Sequence, residues 1–121
     1  GCKYAFVNSQ RLQNNLKELG IEYGHIIGLA PLPEIRELQK KADLANKELK
    51  SERQNLGDVF VTEYKNRILS KFDFDYFFEQ LEQAGAKRVV LFCVEETAKA
   101  CHRSLVTDKL FSDFKYKVSH L

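Results

Sequence analysis

Cys93, Glu95, Cys101, His102 and Arg103 fall within eleven residues of this chain, a stretch that holds five reactive or charged residue types. A thiol acts as a nucleophile through its thiolate. A cysteine in the first turn of a helix beside an arginine gains acidity from the unpaired N–H groups, the helix dipole and the neighbouring charge. The same N–H groups make that end of a helix receptive to anions. A carboxylate near the thiol can act as general acid or base, and a guanidinium can grip a phosphate or carboxylate through two parallel bonds. The pattern points to a cysteine- or carboxylate-dependent enzyme with an anion-binding pocket, acting on a phosphate-bearing substrate such as a nucleotide or nucleic acid. Cys93, Glu95 and Cys101 are its candidate catalytic groups; His102 and Arg103 are candidate ligand-binding groups. The donors Cys93, Glu95, Cys101, His102 and His120 would also suit zinc. Their spacing matches no standard ligand pair, so no cofactor is assigned and zinc stands as the alternative.

Bland readings compete with each role. Cys93 can be a small buried hydrophobe, since cysteine is among the most buried residue types. Glu95 and Arg103 can form an ion pair that ties a loop to a helix. What raises the group above its members is its concentration at one junction.

That junction needs positioning elements. Val89 to Cys93 is apolar and rich in β-branched residues, which reads as a short buried strand. A polar turn follows, and the spacing of Leu105, Val106 and Leu110 predicts a helix from about Cys101. The carboxyl end of such a strand is the usual ligand crevice of an open α/β sheet. Ile21 to Ile27 alternates as another strand, whose Tyr23 and His25 are further ligand-binding candidates. Lys115 to Leu121 alternates as a last strand, with Tyr116, Val118 and His120 on one face, and His120 is another ligand-binding candidate.

The remaining segments read as helices. Asn8 and Ser9 are N-cap candidates for a helix carrying Leu12, Leu16 and Leu19, with Gly20 as its stop. Pro33 suits the first turn of a long helix. Ile35, Leu38, Ala42, Ala45 and Leu49 form its seam, and it reaches about Gln54. Gly57 and Asp58 read as turn and N-cap for a helix with Phe60, Val61, Tyr64, Ile68 and Leu69 inward. Asp73 or Asp75 caps a helix whose Phe74, Phe77, Phe78 and Leu81 share a face, with Gly85 ending it. The neighbours of this aromatic run are acidic, which favours core packing over a platform for nucleic-acid bases.

Composition bounds the class. The 121 residues suffice for one domain, 1–121, that buries a core without disulfides. No apolar run approaches the ~20 residues that span a bilayer, and no signal-peptide pattern opens the chain. Three cysteines form no secreted disulfide framework and favour a reducing, cytoplasmic setting. A net charge of +2 does not by itself imply nucleic acid. Lys65, Arg67, Lys87 and Arg88 would serve the runner-up function, a non-catalytic module binding nucleic acid or a protein.

Helices alternating with strands give an α/β fold, a small three-layer-like domain with a short, mostly parallel sheet flanked by helices. The pattern Leu16…Gly20-Ile21-x-Tyr23-x-His25, then Leu29-Ala30-Pro31…Glu34-Ile35-Arg36, then Tyr64, Leu91-x-Cys93-x-Glu95, Cys101-His102-Arg103 and Val118-x-His120-Leu121 resembles the family called domain of unknown function 488. The resemblance runs from about Phe6 to Leu121. It implies a small cytoplasmic α/β protein with no established activity. Family members usually begin with a strand, a helix and a second strand ending in Asp-Val-Arg, absent ahead of Phe6 here, so the chain reads as a fragment or short form. An exposed sheet edge would follow, covered by a homodimer partner.

Overall fold

The computed structural model describes residues 9–45, 56–93 and 100–120. Among the described residues five helices carry the architecture: α1 (Ser9–Glu18), α2 (Pro33–Ala45), α3 (Asp58–Tyr64), α4 (Phe74–Gln83) and α5 (Arg103–Phe114). A 3-10 turn, Ile27–Leu29, precedes α2, and α3 continues into a π-helical segment, Lys65–Leu69. The expected continuation of α2 to Gln54, with Leu49, lies outside the described residues, as do Asn8, Glu95 and Leu121.

Local chemistry accounts for most of the helix ends. Pro33 opens α2 with its fixed φ and missing donor. The Asp73 carboxylate accepts the Tyr76 amide at 2.9 Å and caps α4. Gly20 and Gly85 take φ of +72° and +68°. Past Gly20, the Ile21 and Gly20 amides donate to Leu16 and Lys17 carbonyls; past Gly85, Ala86 and Gly85 do the same to Leu81 and Glu82. Both pairs form the crossed bonds of a Schellman ending, which needs a left-handed residue there. Asp58 was expected as an N-cap, but Gly57 occupies that position and Asp58 lies in the first turn, where its charge suits the dipole.

The core joins Leu29 and Ile35 to Phe60, Tyr64, Ile68 and Leu69, and these to Phe74, Phe77, Leu105 and Val106. The wide turn at the end of α3 brings the adjacent Ile68 and Leu69 both inward. Phe114 packs on Phe74 and Phe78, and Tyr116 stacks on Phe78 at 5.1 Å. The face of the aromatic run that carries Phe74, Phe77 and Phe78 is therefore core, while Tyr76 is exposed.

The expected α/β sheet is not present: among the described residues no strand forms. Segments 21–26, 88–93 and 115–120 run without regular structure, and no ladder of hydrogen bonds joins them. β-branched composition permits an extended backbone, but a strand exists only where a second one accepts and donates. Side-chain contacts hold two of these segments instead, Leu91 against the core and Tyr116 on Phe78, whereas 21–26 is exposed throughout. The crevice at the carboxyl end of a strand ending at Cys93 falls with the sheet.

Candidate functional site

The site begins where the chain turns into α5. Ala100 and Cys101 are wholly buried, and His102, with helical φ and ψ, stands at the N-cap position. Cys101 therefore precedes the helix and does not sit in its first turn. Its sulfur nonetheless reaches the helix end: the Arg103 N–H donates to Cys101 Sγ at 3.4 Å. The Cys101 carbonyl accepts from the Ser104 amide at 3.1 Å and from Ser104 Oγ at 2.8 Å. These bonds tie the thiol-bearing residue to the first turn through both sulfur and carbonyl. His102 Nδ1 lies 3.8 Å from the same sulfur. Arg103 is half-buried overall, with its Nε out of water.

Tyr64 forms the opposite wall. It is fully buried, its ring meets the His102 imidazole at 5.5 Å between centroids, and it stacks on Phe60. Its hydroxyl donates to the Leu29 carbonyl at 2.6 Å, tying the site to the turn before α2. Burial first, and negative charge on Cys101 second, push the phenol well above its ordinary range, so it stays a neutral donor. Sequence reasoning placed Tyr64 on an apolar helix face and in the family pattern, but gave it no part in the site. The available signal was the polar tip, since a buried tyrosine hydroxyl needs a partner.

The other candidates lie elsewhere. Cys93 is half-buried at the end of segment 88–93, and Glu95 is outside the described residues. Tyr23 and His25 are exposed on 21–26, with Tyr23 lining an open hollow of about 590 Å³ beside Gln10, Asn14 and Lys17 of α1. None of Cys101, His102 and Arg103 lines that hollow. His120 is exposed near the end of 115–120. Among the described residues no three of His, Cys, Asp and Glu group to hold a metal ion, and no helix is long and apolar enough to cross a membrane. Lys65, Arg67, Lys87 and Arg88 are exposed, and Arg67 lies 3.8 Å from Glu63.

A family model, domain of unknown function DUF488, matches residues 2–110. The chain belongs to that family. The match takes in Tyr64 and the whole of Cys101-His102-Arg103, so the wall and the thiol side of this site both lie within the DUF488 region. No curated protein and no solved structure matches the chain. The DUF488 description assigns no activity, and the chemistry rests on the residues themselves.

Proposed function

We propose that this DUF488 protein is an enzyme acting through Cys101 on a phosphate-bearing substrate, a nucleotide or nucleic acid. The observation that supports this most is the sulfur's setting: a helix-start N–H at 3.4 Å and an imidazole nitrogen at 3.8 Å address the same Sγ. Both favour a thiolate, the amide by donating to it and the imidazole by taking its proton. Arg103 would hold the anion, and the neutral Tyr64 ring would fix the imidazole. Cys93 and Glu95, upstream in sequence, would be accessory catalytic groups. Cys101 is buried, so the half-buried His102 and Arg103 would meet the substrate first. A thiol enzyme of this kind suits a reducing compartment such as the cytoplasm.

Alkylation of the native protein by iodoacetamide at neutral pH, mapped by mass spectrometry, tests the reading. Cys101 should label, inorganic phosphate or a nucleotide should slow the labelling, and Arg103→Ala should abolish that protection. Labelling of Cys101 only on unfolding, or labelling indifferent to phosphate, would overturn it.

A further inference from the structure

The first helix keeps its polar and apolar residues apart. Gln10, Asn14 and Lys17, spaced by four and three, share one face of α1, while Leu12, Leu16 and Leu19 fall on the other. At Gly20 the left-handed turn sends the chain back, and the Ile21 amide donates to the Leu16 carbonyl at 2.9 Å. Glu22 and Tyr23 then line the same hollow of about 590 Å³ as the polar face of α1. A volume of that order suits a small molecule. All of the lining falls between Gln10 and Tyr23, so a local turn sets its shape.

The groups around it differ in kind, and together they narrow the ligand. The Gln10 amide donates to Asn14 Oδ1 at 3.0 Å, which leaves the Gln10 oxygen to accept and the Asn14 nitrogen to donate. Such a pair suits adenine, whose amino group donates beside an accepting ring nitrogen. Tyr23, 37% exposed, offers ring surface on which a base can stack. No hydrogen bond or ion pair among the described residues engages the Lys17 ammonium or the Glu22 carboxylate. A bare phosphate would meet that carboxylate beside the ammonium, and a neutral sugar would leave the ammonium unused. A ribonucleotide serves both, with a phosphate for the cation and ribose hydroxyls for the carboxylate. We propose that this hollow binds an adenine ribonucleotide, free or as one unit of an RNA strand. Tyr23 stacks the base, Gln10 and Asn14 read its edge, Lys17 holds the phosphate and Glu22 the ribose. None of Cys101, His102 and Arg103 lines the hollow, so binding here does not depend on a reactive thiol. An open hollow covers less of its ligand than a closed pocket, so the complex is weak.

Titration of the isotope-labelled protein with adenosine monophosphate, followed by NMR at each backbone amide, tests the assignment. Signals of residues 10–23 should move, while those of 101–104 report separately on any binding at the thiol. Tyr23→Ala, at an exposed position, should keep the helical circular dichroism and weaken binding about tenfold, the low end of a stacking contribution. Deoxyadenosine monophosphate should bind less tightly than the ribonucleotide, and Glu22→Ala should erase that difference. A short oligoadenylate that binds more tightly than the monomer makes an RNA strand the ligand; one that does not makes it the free nucleotide. Shifts absent from 10–23, a Tyr23→Ala variant that binds like the parent, or equal binding of the ribo and deoxy forms would each overturn the proposal.

Discussion

Replacing Tyr64 by phenylalanine removes one oxygen from the middle of the core and leaves the ring against Phe60 and His102. What is lost is the 2.6 Å bond to the Leu29 carbonyl. Leu29 is buried, and among the described residues no other group donates to that carbonyl. Orphaning a buried acceptor costs about 1–3 kcal/mol. For a chain of this length, each kcal/mol moves the melting temperature by roughly 3–6 °C. A loss near the middle of that range lowers Tm by about 6–12 °C in a circular-dichroism melt. The phenol adds a signature in pH. Its folded pKa lies above the ordinary 10.0, through burial and then the charge of Cys101. Stability from keeping it neutral is fully present below pH 10.0 and is lost as pH rises toward the folded value, because the unfolded phenol ionises first. Unfolding free energy should therefore fall more steeply above pH 10.0 in the native chain than in Tyr64→Phe. A variant within about 1 °C of the parent, far inside the shift expected for an orphaned acceptor, with the same alkaline slope, would show that the Leu29 carbonyl finds water and that burial does not hold the phenol.

Two further perturbations probe the frame. Gln39 is buried, accepts the Gly57 amide at 2.8 Å and donates to Asp43 at 2.8 Å. Gln39→Leu strips both bonds at the join of α2 and α3 and should lower the unfolding free energy by about 3 kcal/mol, read from the urea midpoint at unchanged slope; a loss below about 0.5 kcal/mol, the range of ordinary surface changes, would refute that join. On the surface of α5, a hydrogen bond from Lys109, then one from Ser112, holds the Asp113 carboxyl below its usual range. Its stabilising effect is present above the ordinary carboxylate pKa and fades as pH falls through the lowered one. Lys109→Ala should raise the Asp113 midpoint in an NMR titration, and an unmoved midpoint would refute the bond's role.

Helix ends were legible because their signals are local. Pro33, Asp73, Gly20 and Gly85 each solve a problem posed by the three or four residues beside them, and each stands where that problem arises. The left-handed backbone at Lys115 carried no such sign, since its residue type gives no hint of positive φ. Gln39 lies buried although its type favours exposure because it accepts the Gly57 amide at the start of α3, and Asp43 is buried beside it as the acceptor of the Gln39 side-chain amide. Strands failed for a different reason. Alternation at 21–27 and 115–121 describes how side chains would divide between two faces, but it carries no information about which backbone would pair with them.

The candidate site divided along the same line. Cys101, His102 and Arg103 are consecutive, and a helix start determines their geometry, so their meeting at one sulfur needs no distant contact. Tyr23 and His25 were placed by the first strand of the sheet, and His120 by the last. Without the sheet they stand exposed on segments that lack regular structure, and the wall beside the imidazole is supplied by Tyr64. A tyrosine at the junction of α3 with the π-helical segment can do this because its ring reaches the imidazole while its hydroxyl finds a carbonyl thirty-five residues earlier in the chain. Tyr64 therefore joins the thiol end of the chain to the turn before α2. A loosened Leu29–Tyr64 bond should reach the Cys101 sulfur through His102, so iodoacetamide labelling of Cys101 should quicken in Tyr64→Phe at temperatures well below its melt. Unchanged labelling there would place the imidazole under the control of α5 alone.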